Sequence, residues 1–468
     1  MVDVLALWTR APKFRRLLAL GAGFFVIVAA ALCWPYMRTT QHLVAARQAM
    51  REGELVAALV ALEKAKAIQP DRAEVQYLLA VALRRAGRLQ EYEAPLERAA
   101  ELGWPEEDIR RQRLLAQAQR GDVPAVRAQL MALMTRGASD EVAEEIYEAM
   151  AKGYMISYAL LDARLCLDFW LTWRPGTPQA RVMRACIFEQ TGEWDKAVAD
   201  YRAALEHHPK HREARVRLGQ AFLQLKDYAE AKAEFQARLA DAPDDIEALQ
   251  GLAQCERQLG DMDVAKACVE RILAAELNPT QRGMAMAELG RILLNQGKTA
   301  EALEVLNRAR ELVPMDSMVH QALGTALART GQTQKAQYHM DRFRHIRKQF
   351  DRMTGITRRL IDKPNSAELR YEAGAILMEQ GMKKDAADWL LSALKCDPRH
   401  RKTHELLAEY YAELGDQQSA GFHRLMAAEA AKAEAAKVER VFAAKGATLA
   451  KGPTESKPSV SAKSSAPK

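Results

Sequence analysis

Along most of the chain, apolar residues recur at spacings of three and four, the period of a helix with one buried face. These stretches come in pairs punctuated by small residues, Gly and Pro. Align Gly219, Ala231 and Pro243: the same small–small–Pro spacing recurs at Ala185, Ala197 and Pro209, at Gly290, Ala302 and Pro314, and at Gly374, Ala386 and Pro398. A turn glycine follows the first small position: Gly192, Gly260, Gly297, Gly331, Gly381 and Gly415, with Gly53, Gly87 and Gly121 in the same register upstream. Counted back from these, units begin near 39, 73, 107, 141, 178, 212, 246, 283, 317, 367 and 401, and seven of the ten steps are 34 residues. The exceptions are steps of 37 at 141–178 and 246–283 and a step of 50 at 317–367. The pattern predicts paired helices. Small residues let the two approach, Gly ends the first and Pro closes the second. No single pair can bury its apolar face, so neighbours must stack into one continuous core.

This spacing resembles the tetratricopeptide repeat (TPR), a helix–turn–helix unit of 34 residues, over about residues 39–430. The unit at 212 carries Leu218-Gly219, Phe222, Ala231, Phe235 and Pro243, and the one at 178 carries Ala185, Ala197, Tyr201, Ala204 and Pro209. Units at 73, 107 and 141 depart most, lacking the small residue of the second helix or the closing Pro. The resemblance implies an all-α, right-handed TPR α-solenoid of about eleven repeats. It also implies a concave groove lined by the first helix of each pair, whose second, fifth and ninth positions face a protein or peptide partner. Carried onto this chain, those positions include Glu213, Val216, Gln220, Glu247, Gln250, Gln254, Met284, Arg291, Gln321 and Thr325. One subset of the family clamps a C-terminal carboxylate with Lys and Asn there. Neither residue type occurs at these ten positions. The Gln-rich floor instead suits hydrogen bonding to an extended or helical peptide.

The long step at 317–367 predicts a second helix running on through Leu360-Ile361 to Lys363-Pro364. Phe343, Ile346, Phe350, Met353 and Leu360 have heptad-like spacing. Such a helix either packs on the next repeat or projects toward a partner. It carries Arg342, Arg344, Arg347, Lys348, Arg352, Arg358, Arg359 and Lys363 against three Asp, a local charge of +5. That is either a solvated face or a contact for an acidic partner or phospholipid surface. Residues 416–445 read as a charged, Ala-rich capping helix, with 431–445 an extension beyond the repeats. From 446 to 468 the Lys/Ser/Pro/Ala composition predicts a disordered tail.

The first 36 residues have a different pattern. A basic segment, 1–16, precedes Leu17–Trp34, an uncharged run of 18 residues long enough to cross about 27 Å as a helix. Trp34 and Tyr36 sit where amphipathic rings favour the membrane interface. Residues 17–36 therefore read as a transmembrane signal anchor. The flanking charges put the N-terminus in the cytoplasm and the repeats across the membrane, which by analogy is expected to be the extracytoplasmic side of a bacterial inner membrane. A cleaved signal peptide, with Ala29-Ala30-Ala31 as its processing site, is the alternative. Cys33 follows bulky Leu32, a poor setting for lipidation.

Composition sharpens this picture. Apolar residues make up 49% and aromatics 6%, a core of Ala and Leu that favours helix. The net charge of +7 divides into +3 from residues 1–16, +3 from 446–468 and +1 between. The body carries no nucleic-acid signature. Six cysteines exclude a disulfide-dense scaffold. Five of them lie beyond the anchor, an odd number that would leave a free thiol in an oxidising compartment.

Chemistry is hard to find. Gly290…Gly297-Lys298-Thr299 has six residues between its glycines where a phosphate loop has four. His404-Glu405 opens a zincin-like pattern that Ala408 breaks. His207, His208 and His211 surround Pro209 in a turn, and Cys255 and Cys268 read as buried small apolar residues. No catalytic residue, metal or cofactor is expected. The sequence reads as a single-pass membrane-anchored scaffold for a protein or peptide partner, in bacterial envelope assembly, secretion or biogenesis. A cytosol-facing organellar receptor or adaptor is the alternative.

Overall fold

A computed structural model describes residues 34–450, with side chains described to residue 436. The apolar run before residue 34 and the tail from 451 lie outside the described residues, as does the anchor expectation resting on that run. The described residues form 22 α-helices and no strand. In pairs, they are α1 (34–51) and α2 (Leu55–Ile68); α3 (Ala73–Arg85) and α4 (Glu93–Glu101); α5 (Glu106–Gln119) and α6 (Val123–Thr135); α7 (Asp140–Ile156) and α8 (Leu160–Trp173); α9 (Pro178–Thr191) and α10 (Trp194–His207); α11 (Arg212–Leu225) and α12 (Tyr228–Asp241). They continue as α13 (Ile246–Leu259) and α14 (Met262–Ala274); α15 (Pro279–Asn295) and α16 (Thr299–Leu312); α17 (Ser317–Arg329) and α18 (Thr333–Asp362); α19 (Ala367–Glu379) and α20 (Lys383–Cys396); α21 (Arg401–Glu413) and α22 (Gln417–Ala450). Two compact units divide at Arg347 and Lys348, within α18.

In the first unit each helix packs on its pair-mate and on the next pair, as a stacked-repeat core requires. Phe235 of α12 shows how. A Cβ added to Gly219 would lie 2.7 Å from its ring, and one added to Gly251 would lie 2.2 Å away. Both glycines are therefore dictated by close approach, and the fully buried ring fills the gap between two repeats. The turn glycines all take a left-handed conformation, Gly53 through Gly415. The unit at 212 has no glycine there, and Lys226 adopts φ 66° in its place. Polar caps open the first helices: Asp245, Asn278 and Asp316 accept from backbone N–H groups of α13, α15 and α17.

The structure corrects the register expected at 141. The left-handed turn residue there is Tyr158, φ 55°, which moves the start of the unit to 144. In that frame the small positions are Ala151 and Ala163, both fully buried, and Pro175 closes the second helix. Nothing is missing from this repeat. The three extra residues precede it, as an added turn at the N-terminus of α7. The other 37-residue step has the same cause: α15 begins at Pro279, four residues ahead of its repeat frame. Both α7 and α15 are 17 residues long, against 13 or 14 for most of their counterparts.

In the second unit, the later part of α18 packs on α19. Gln349 donates to Glu379 at 2.7 Å, and Arg359 pairs with Glu372 at 3.7 Å. The inward positions are Gln349, Met353, Ile356 and Leu360, preceded in register by Ile346. They alternate spacings of three and four. The expected seam is therefore corrected at one position: Phe350 is 60% exposed, and Ile356, 2% exposed, takes the inward place. Packing on the next repeat, rather than projection into solvent, accounts for this seam. The final helix α22 continues to Ala450, past the boundary read at 445.

Candidate functional site: a closed and an open helix face

The first-helix face of the early repeats is closed by a polar network. Arg84 on α3 is fully buried. Its guanidinium donates to Gln112 Oε1 at 2.6 Å and Gln119 Oε1 at 2.9 Å, both on α5, and to Glu145 of α7 at 3.4 Å. Gln112 donates in turn to Tyr77 Oη at 3.2 Å and to Glu145 at 3.0 Å. Beside it, Arg85 binds Glu148 at 2.9 Å and the Met50 carbonyl at 3.1 Å, while Lys152 donates to the Arg85 carbonyl at 2.7 Å. Burial alone would raise the Glu148 carboxyl. Arg85 and Lys152 outweigh it and hold the group down at about 2. The residue types explain the closure: a buried guanidinium must satisfy its donors, and the glutamines, spaced i, i+7, supply acceptors along α5. None of these residues stood out in the sequence. The available signal was Gln112 and Gln119 recurring among Ile109, Leu115 and Ala116 on the inward face of a charged helix.

From α11 onward the corresponding face is open. Glu213, Gln220, Glu247, Gln254, Met284 and Thr325 are exposed, and Gln250, Arg291 and Gln321 are half-buried. Val216 is the exception at 2% exposure. It belongs to the core and presents no surface to a partner. The first helices α11, α13, α15 and α17 touch in succession, so these positions share a continuous face. Neighbours already engage some of them. Glu213 accepts from Arg217 at 3.1 Å and Glu247 from Arg212 at 3.1 Å. Arg291 and Arg257 share Glu288, at 2.8 Å and 2.6 Å. Burial and the neighbouring Arg257 push the Arg291 guanidinium below its usual range.

The basic residues of α18 lie elsewhere. Arg344, Arg347, Lys348, Arg352, Arg358 and Arg359 are exposed, with Arg352 donating to Gln349 and Arg359 reaching Glu372 of α19. Arg342 is half-buried, with its guanidinium 3.4 Å from the Met315 sulfur.

The histidines hold the repeats together. In several units, the fourth residue of the first helix donates to the carbonyl of the preceding Pro: Arg181 to Pro175 at 2.9 Å and Arg370 to Pro364 at 2.7 Å. His320 and His404 do the same through Nε2, to Pro314 and Pro398, each at 3.0 Å. That leaves each Nδ1 as an acceptor, filled by His339 Nδ1 at 2.9 Å and His423 Nδ1 at 2.8 Å. His404 is thus committed to a second imidazole. His211 caps α11, accepting from the Ala214 amide at 3.2 Å. Among the described residues no group of three or more His, Cys, Asp or Glu could hold a metal. Cys255 and Cys268 are buried, and burial pushes the Cys255 thiol up to about 12, far from a reactive thiolate.

Two tetratricopeptide repeat family models match the chain, one at residues 182–246 and 287–344 and the other at 226–289. Residues 182–344 thus match tetratricopeptide repeats, within an all-α stack of helix pairs. No curated protein matches the chain. Matches among solved structures include YrrB, described as a TPR protein with an unusual peptide-binding site, at 22% identity and TM-score 0.31, covering 38% of this chain and 91% of that one. The Cut9–Hcn1 hetero-tetramer of the APC/C matches at 15% identity and TM-score 0.33, covering 92% and 93%. A tetratricopeptide repeat protein from Parabacteroides merdae matches at 17% identity and TM-score 0.33, covering 62% and 99%. Among the described residues, no helix is long and apolar enough to cross a membrane.

Proposed function

We propose that the chain is a membrane-anchored scaffold whose open face across α11, α13, α15 and α17 binds a protein or peptide partner in bacterial envelope assembly, secretion or biogenesis. The contrast between the two faces carries this reading. Arg84, Gln112, Gln119 and Glu145 satisfy one another in the early repeats. The later repeats leave Gln220, Gln254 and Met284 exposed. A rigid face of amide side chains can exchange hydrogen bonds with water for those of a peptide at little cost in ordering. The anchor part rests on the uncharged run before Trp34 and on the start of α1, where Trp34, Tyr36 and Met37 are all more than half exposed. Rings and a thioether left in water at the end of an apolar run suit a membrane interface.

Photocrosslinkers placed at Gln220, Gln254 and, as a buried control, Gln112 test the face in living cells. Adducts from the first two and none from the third are expected. Adducts obtained only from further probes at Arg352 and Arg358 would overturn the groove and move binding to α18. Alkaline extraction tests the anchor independently: the full chain should stay with the membrane, and a chain starting after residue 36 should be released.

A further inference from the structure

The second helices α16 and α18, with the α17–α18 turn between them, flank a crevice of about 540 Å³. None of the ten groove positions lines it. Leu303 and Leu327 form its apolar part, Arg310 and Lys335 are its cations, and no carboxylate lines it. Arg310 is half-buried and has no hydrogen-bond or ion-pair partner among the described residues. Lys335 reaches the Gln332 amide oxygen at 3.1 Å. His339 also lines the crevice and is 6% exposed. Its Nδ1 must donate to His320 Nδ1, because His320 directs its own proton at the Pro314 carbonyl. The Nε2 of His339 is therefore a bare lone pair, with no partner among the described residues. Two repeats further on, His404 and His423 make the same contacts as His320 and His339. The residues matching Asn307, Arg310, Lys335 and Tyr338 there are Leu391, Leu394, Ser419 and Phe422. The histidine pair is thus a packing device, and the polar lining of the first crevice is an addition that packing does not require.

We propose that this crevice binds a small soluble phosphate monoester. Two cations with no carboxylate between them call for an anion, and a guanidinium can hold two phosphate oxygens at once. The bare Nε2 narrows the choice. It repels a group that only accepts, which is what carboxylate and sulfate are near neutral pH. A phosphate monoester has its second pKa at about 6, and its monoanion carries one O–H. That O–H donates to His339 Nε2 while the remaining oxygens accept from Arg310 and Lys335. Leu303 and Leu327 leave an apolar surface for the organic part. The charged and titratable groups around His339 are Arg310 from α16, His320 from α17, and Lys335 and Tyr338 from its own helix. Asp316, Arg310 and Arg342 act in turn on His320. Burial, His320 and Arg310 hold the His339 imidazole down to about 4, so it is neutral when the ligand arrives. The shared proton therefore comes with the monoanion, and where the free ligand is a dianion, binding takes one proton up from solution.

Isothermal titration calorimetry of the full chain in detergent with phenyl phosphate tests this, at about pH 6 and about pH 8 and in buffers of different ionisation heat. The wild type should saturate, lose about tenfold in affinity per pH unit above about 6, and take up close to one proton at the higher pH. Sulfate should bind about tenfold or more weakly than phenyl phosphate at the lower pH. Arg310→Leu and Lys335→Ser install the residues that the counterpart crevice already carries, so both should fold, and each should weaken binding by about tenfold or more. His339→Gln offers an N–H in place of the lone pair, so it should bind the dianion and lose the pH slope. Failure of the wild type to saturate, or binding unchanged in Arg310→Leu, would overturn the proposal. So would equal affinity for sulfate, or a pH slope that persists in His339→Gln. Binding confined to vesicles containing phosphatidic acid would overturn the soluble ligand and make it a lipid.

Discussion

Lys226 occupies a backbone position that glycine holds in nine other repeats. An L-residue there costs about 1 kcal/mol relative to glycine. Lys226→Gly should therefore raise the thermal midpoint, by a degree or two for roughly 0.5–1 kcal/mol in a chain this long, as read by differential scanning calorimetry. The histidine pairs make the opposite kind of prediction. Burial, then the neighbouring His320 and Arg310, push His339 down to about 4, and burial, then His404, lower His423. Unfolded histidines take up protons near pH 6.5. The stability these pairs contribute is complete above that value and drains away as the pH falls toward 4. Thermal melts should fall between about pH 6.5 and 5, before most carboxylates titrate. The double variant His339→Gln with His423→Gln should flatten that slope.

At the scale of elements, the helices, their pairing and most turns could be read from spacing alone, because small residues, Gly and Pro report backbone geometry directly. Tyr158 and Lys226 hid their turns because a bulky residue at positive φ leaves no compositional trace. For Tyr158 this shifted a whole repeat by three residues and made Ala151, Ala163 and Pro175 look absent. The α18 seam was misread for a related reason. Phe350 and Ile356 are both apolar, and only the position of α19 decides which turns inward. Ile356→Ala should destabilise the second unit by about 2–4 kcal/mol, while Phe350→Ala should cost under about 0.5 kcal/mol. Chemical denaturation that gives equal losses would reject the seam.

Over the whole molecule, the repeat class was legible and the closed face was not. A 34-residue period predicts that neighbours touch. It says nothing about contacts skipping a repeat, such as Arg85 to Glu148 or the Lys152 ammonium on the Arg85 carbonyl. Of the ten groove positions, Val216 fell into the core because its neighbours pack over it, a tertiary fact invisible to register.

The contacts that skip a repeat have one more consequence. A stack in which each repeat meets only its neighbours can fray from either end, one unit at a time. The Arg85–Lys152 tie joins residues 67 apart in sequence. The turn at Gly53 is packed so closely on Gln179 and His211 that a Cβ there would lie 3.3 Å from the Gln179 amide oxygen. Opening any of the first four repeats therefore breaks bonds belonging to others. The first four repeats behave as a single mechanical block: tension applied at their N-terminal end is shared by distant helices at once, instead of peeling them away in order.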